Sequence, residues 1–174
     1  CAELKSAGIK VSEGEESEAA HQLYEAFAKH VKTGIPFVSV KFAMSLDGKI
    51  ATSTGDSQWV TGVESRNWVQ QMRRESDAVL VGINTVVTDD PQLTARDPHG
   101  NPLQRQPLRV VVDSHCRTPP TARVLQQPGN TLIATIQHSH QHCCDQLGRS
   151  GAEVLTLSAN RDGRVSMEAL LVEL

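Results

Sequence analysis

The densest group of metal-capable and nucleophilic side chains is His138-Ser139-His140-Gln141-His142-Cys143-Cys144. Imidazole and thiolate are zinc ligands, yet histidines at every second position share a face only when the chain is extended. The stretch lies between an apolar run ending at Ile136 and a helical pattern running to Arg149. It reads as a solvated connection, with a metal site as the alternative; elemental analysis before and after replacing His138 and His140 separates the two. Gly55-Asp56-Ser57-Gln58-Trp59 approaches a nucleophile elbow but lacks the second glycine and the strand-to-helix context. No G-x-G occurs, so the dinucleotide fingerprint is missing, and there is no phosphate-binding G-x-x-x-x-G-K-[ST] loop. The zinc-deaminase signature, H-x-E followed by P-C-x-x-C, is also missing.

Polar residues at strand ends are what remains, and the elements that carry them follow from periodicity. Over residues 37–45, Val38, Val40, Phe42 and Met44 alternate with Ser39, Lys41, Ala43 and Ser45. This predicts a strand with one small, polar face. It runs straight into two polar turns, 46–49 and 53–57, and loops hung on a strand end are where sites tend to sit. A short apolar run, Ile9 to Val11, precedes a helix with Ser17 as N-cap and Leu23, Tyr24, Phe27 and Val31 on one face. A second amphipathic helix is predicted over 64–76, with Trp68, Val69 and Met72 together on one side. Apolar strands follow at 78–81, 108–112, 131–136 and 154–157, the first two separated by a loop containing Thr88-Asp89-Asp90-Pro91 and a polar, proline-bearing stretch from Asp97 to Pro107. Runs that are apolar throughout suit strands covered on both faces, hence an α/β architecture with a parallel or mixed sheet flanked by helices. Ser166 can cap a last helix carrying Met167, Leu170, Leu171 and Leu174, a pattern that stops inside an element.

Composition narrows the function classes. Of 174 residues, 39% are hydrophobic and only 3% aromatic, so the core must be aliphatic and stacking platforms for single-stranded nucleic acid are nearly excluded. Lys and Arg number 17 against 20 Asp and Glu, without a block of like charge, which argues against phosphate-backbone binding. No stretch approaches the ~20 apolar residues of a membrane span. Four cysteines, two of them adjacent, do not make a disulfide framework. A soluble, cytoplasmic protein with reduced thiols is the expectation, with neither nucleic acid nor membrane as partner.

Four motifs in order then become recognisable. Lys41-Phe42-Ala43-Met44-Ser45-Leu46-Asp47-Gly48-Lys49, Gly55-Asp56-Ser57-Gln58-Trp59-Val60-Thr61-Gly62, Arg73 with Asp77-Ala78-Val79-Leu80-Val81-Gly82, and residues 85–96 from Thr85 to Arg96 together resemble one family. It is the reductase domain of the bifunctional bacterial riboflavin-biosynthesis deaminase/reductases, matched over about residues 35–174. Residues 1–34 resemble the last strand and helix of that family's cytidine-deaminase-like domain, whose zinc motif would lie upstream. The resemblance implies a dihydrofolate-reductase-like fold with a mostly parallel sheet, here truncated at its C-terminus, because the family's later acidic residue and glycine-rich stretch should follow Leu174. It also implies NADPH as cofactor, zinc only in the absent deaminase domain, a homo-oligomer, and a phosphorylated pyrimidine as substrate. The implied reaction reduces the ribosyl group of 5-amino-6-(5-phosphoribosylamino)uracil to ribityl by hydride transfer to C1'.

Site residues follow from the same match. Ala43, Trp59, Thr85, Asp89 and Ser114 take the cofactor positions. A methyl at Ala43 lets a flat nicotinamide approach the backbone, an indole can cover a ring, Asp89 can accept from ribose hydroxyls, and Ser114 follows a parallel strand, where nucleotides sit. Ser57, Arg73, Leu93 and Arg96 take substrate positions, the two guanidiniums offering forked donors to a phosphate. Lys41 is the expected proton source for the opening sugar oxygen. Without the family, a non-catalytic nucleotide-binding fragment or a related reductase acting on another pterin or pyrimidine remains open.

Overall fold

The computed structural model describes residues 1–137 and 141–174. The chain divides into two compact units, Cys1–Val40 with the terminal Leu174, and Lys41–Glu173. The first unit contains helices α1 (Ala2–Ser6) and α2 (Ser17–Thr33). Glu16, in the left-handed region, takes the N-cap position of α2 in place of the expected Ser17 and makes no side-chain cap bond. Gly34 ends the helix with φ +65°, a conformation that costs glycine little. The apolar stripe of α2 is present but faces outward: Leu23 and Phe27 are exposed.

The second unit is a four-stranded sheet in the order β1 (Ala78–Gly82), β2 (Leu108–Val112), β3 (Thr131–Ile136), β4 (Glu153–Leu157), every pairing parallel. Parallel neighbours require crossovers: α4 (Ile83–Asp89) lies between β1 and β2, a 3-10 turn between β2 and β3, and α5 (Gln141–Arg149) between β3 and β4, while α3 (Val63–Glu75) precedes β1 and α6 (Met167–Glu173) follows β4. Alternation along each strand sorts the core into two layers. Val111 and Ile133 pack with Ile83 and Val86 of α4, Leu147 of α5, and Val124 from a 3-10 turn, Arg123–Leu125. Val110, Leu132, Ala134, Ile136 and Leu157 pack on the opposite face with Val165 and Leu170 of the α6 region. Each fully buried aliphatic side chain contributes about 1.5–3 kcal/mol.

Three expectations need correction. Residues 37–45 form no strand, and neither do Ile9 to Val11, among the described residues. Period-two alternation marks a chain suited to a ladder, but a strand exists only when a neighbour takes its backbone bonds. β1 to β4 pair with one another, and Val40 and Phe42 remain about 70% exposed (68% and 70%). Thr88 and Asp89, read as part of a loop, close helix α4: the segment INTVVTD has poor intrinsic propensity, and burial of Ile83 and Val86 against the sheet outweighs it. The sheet among the described residues is parallel in every pairing, in keeping with the expected mostly parallel α/β architecture flanked by helices. Ser166 caps α6 as expected, its hydroxyl accepting from the Ala169 amide at 3.2 Å.

Candidate functional site

Helix α3 carries Gln70, Arg73 and Arg74 on neighbouring turns, a spacing that puts the three side chains on one side. They meet residues 94–96, which run beside them. Arg73 Nη1 donates to the Thr94 carbonyl at 3.2 Å, Arg74 Nη2 to the Arg96 carbonyl at 2.8 Å, and Gln70 Oε1 accepts from the Arg96 amide at 3.2 Å. From the opposite direction the Gln106 amide imitates a β-ladder rung: Oε1 accepts from Ala95 N and Nε2 donates to Ala95 O, both at 2.9 Å, with a further bond to Leu103 O at 2.6 Å. Leu93 stands just before, fully packed in the core at φ +55°, a left-handed conformation unusual for a branched side chain. Burial of Leu93 and Ala95 and the side-chain bonds hold that turn in place.

Arg73 and Arg96 are thereby brought together. Burial first, and the positive charge of Arg96 second, hold the Arg73 guanidinium below its ordinary range. Guanidinium remains protonated at any physiological pH, so the two cations repel without discharging. Among the described residues the ion pairs are Lys5–Glu13 and Arg105–Asp77, so none of Arg73, Arg74 and Arg96 has a carboxylate partner. Arg74 Nε, Arg96 Nε and the Thr94 hydroxyl are buried without a hydrogen-bond partner among the described residues. Three half-buried guanidiniums with spare donors and no ion-pair partner among the described residues can bind an oxyanion, with charge-assisted, forked bonds as the natural geometry.

The remaining predicted positions are spread over three other places. Ser114 lies beyond the carboxyl end of β2; its Oγ accepts from the Val165 amide at 3.0 Å, which leaves the hydroxyl proton to donate. Next to it, Asp113 is fully buried, with Oδ2 accepting from the Thr118 amide and hydroxyl at 2.7 Å and Oδ1 without a partner among the described residues. Thr85 is half-buried in the first turn of α4 and Asp89 exposed in its last. Trp59 is exposed, and one ring face is covered by Arg66 of α3 at 4.6 Å. Lys41 is exposed and Ala43 and Ser57 half-buried, and no hydrogen bond among the described residues ties Lys41 or Ala43 to the arginine cluster. His138 and His140 lie outside the described residues; no metal-binding group occurs among the others. A cavity of about 580 Å³ is lined by α5 and β4 residues including Cys144, Asp145 and Arg149, and by none of the predicted cofactor or substrate positions.

Gln70, Arg74 and Gln106 escaped the sequence reading. The i, i+3, i+4 spacing of Gln70, Arg73 and Arg74 was a usable signal for a shared helix face; nothing local marked Gln106.

A parallel sheet flanked by helices, with three arginines gathered between α3 and residues 94–96 and polar residues beyond the carboxyl end of β2, defines an α/β domain without a dinucleotide fingerprint. Residues 36–174 match the RibD C-terminal domain, and the chain belongs to that family. It is 38% identical to riboflavin biosynthesis protein RibD of Actinobacillus pleuropneumoniae over 174 residues, covering 99% of this chain and 45% of the relative. With the Escherichia coli protein of the same name it shares 42% identity over 143 residues, 77% of this chain and 39% of that one. The solved structure of Acinetobacter baumannii RibD superposes with a TM-score of 0.74 at 36% identity, over 98% of this chain and 45% of that one. A Thermotoga maritima structure described as a diaminohydroxyphosphoribosylaminopyrimidine deaminase and 5-amino-6-(5-phosphoribosylamino)uracil reductase gives 0.67 at 32%, over 90% and 48%. The chain thus spans about half the length of the relatives it matches. No helix among the described residues is long and apolar enough to cross a membrane.

Proposed function

We propose that the chain supplies the larger part of an NADPH-dependent reductase of riboflavin biosynthesis, acting on 5-amino-6-(5-phosphoribosylamino)uracil, with residues 1–34 as the tail of a preceding deaminase domain. The cluster of Arg73, Arg74 and Arg96 without a carboxylate carries this reading, because a phosphorylated substrate supplies the missing counter-charge. Arg73 and Arg96 bind the phosphate, Leu93 packs the turn that leads to Arg96, and Ser57 offers a hydroxyl to the pyrimidine or sugar.

Ser114, Thr85 and Asp89 suit a nucleotide cofactor: the Ser114 proton is available, and neither Thr85 Oγ1 nor Asp89 has a hydrogen-bond partner among the described residues. Trp59 offers its uncovered ring face, and Ala43 leaves room for a flat ring against the backbone. NADPH, when bound, supplies the hydride that reduces C1'. Lys41 donates a proton to the opening ring oxygen of the sugar and offsets the negative charge developing there.

Residues 37–45, which carry Lys41 and Ala43 and join no strand among the described residues, favour a second reading in which this chain by itself binds phosphate without turnover. NADPH oxidation in the presence of the pyrimidine substrate, followed on this chain and on a version extended past Leu174, separates them. Turnover in the extended protein that falls about 100-fold or more in Arg73→Met supports the reductase, since two charge-assisted bonds are worth about 3–5 kcal/mol. No turnover in either protein sinks it.

A further inference from the structure

Two guanidiniums that repel one another do not stay adjacent unless the backbone beneath them is fixed. Arg73 is anchored by its helix, whereas Arg96 sits on an irregular segment that could swing it away. That segment is held through its own peptide groups: the Arg96 amide is bonded by Gln70 and the Arg96 carbonyl by Arg74, four residues apart on the helix that carries Arg73. Both polar atoms of one residue are therefore referenced to the same rigid element as its partner cation. Gln106 fixes the preceding residue from the other side.

We propose that Gln70 and Arg74 are positioning residues, which hold Arg96 beside Arg73 so that the two converge on one phosphate dianion. The inference rests on the anion-site reading given above and deepens it. Gln70 is uncharged and spends its carbonyl oxygen on a peptide N–H, so its effect on phosphate must pass through Arg96. Preorganisation of this kind moves the cost of ordering from binding to folding. The clamp also explains why a segment with one strained residue, Leu93, ends in a defined place.

The test uses inorganic phosphate and ribose 5-phosphate as probes, titrated into the full chain while the arginine Nε–H resonances and the exchange of the Arg96 amide are followed by NMR. Gln70→Met is expected to weaken binding about tenfold, the worth of one net hydrogen bond plus misplacement, and to deprotect the Arg96 amide. Arg74→Met should do the same and Arg74→Lys, which retains a donor, should restore affinity to within about threefold. Helix α3 buries no residue fully, so thermal midpoints should move little. Undiminished affinity in Gln70→Met, with Arg73→Met losing phosphate, overturns the positioning role and leaves the anion site standing. No phosphate binding by the unsubstituted chain overturns both.

Discussion

Arg109 is a full cation inside the sheet, 1% exposed, with no acid to neutralise it, and replacing it by methionine is the most direct test of how the site's scaffold is held. Every nitrogen of its guanidinium is used. Nε donates to Thr131 Oγ1 at 3.0 Å, Nη1 to Pro128 O at 2.6 Å, and Nη2 to Gln127 O at 3.1 Å and Gly129 O at 2.8 Å. Burial holds its pKa below the ordinary range without discharging it. Bonds to a charged donor are worth about 1.5–3 kcal/mol each. Three of the four acceptors lie on a surface loop that water can reach when the arginine is gone, and removing a buried charge returns its desolvation cost. The net loss in Arg109→Met should therefore be about 3 kcal/mol rather than the sum of four bonds. For a domain of this size that corresponds to a fall of roughly 6–12 °C in Tm. Urea denaturation by circular dichroism, read together with thermal melts, measures it. A loss below about 1 kcal/mol would show that the buried cation and its bonds cancel, and would refute the claim that Arg109 holds the loop.

The same loop reaches the site. A Cβ on Gly129, where φ is +94°, would stand 2.8 Å from Gln106 Cβ, so Gly129→Ala should cost about 2–4 kcal/mol in strain and overlap; faster exchange of the Ala95 amide would mark the displacement of Gln106, and unchanged exchange would count against the coupling. Asp97 is held below the usual aspartate range by the Asn101 side chain first, then by the Asn101 and His99 amides, with charge on His99 helping least. Because its folded value is depressed, this support for the 97–101 turn is complete above the ordinary aspartate range and disappears as pH falls through the folded value. An NMR titration should show the His99 and Asn101 amides shifting together below the usual midpoint, and a midpoint at or above it contradicts the assignment.

How far the sequence reaches depends on where the energy of each element comes from. The strands at 108–112 and 131–136 were readable to the residue, because runs dominated by Val, Ile, Leu and Ala suit strands covered on both faces, even with Arg109, Thr131 and Thr135 among them. The cationic pair was readable through the family motif, and the helix that carries half of it through its period. Residues 37–45 show the limit: alternation encodes a capacity to pair, and pairing requires a neighbour that no local pattern supplies. Helix α4 shows the converse, a poor helix former made helical by the two residues it buries.

Sequence by itself thus determined the α/β class, the four strands of the sheet and the arginines at motif positions. Only tertiary structure decided which of those residues meet. Gln70 and Gln106 reach their partners across 26 and 11 residues of chain, and Arg109, one charge in a strand pattern, finds its acceptors 18 to 22 residues further on. Such bonds are directional and long-range, so periodicity and propensity, which sum over near neighbours, carry no trace of them.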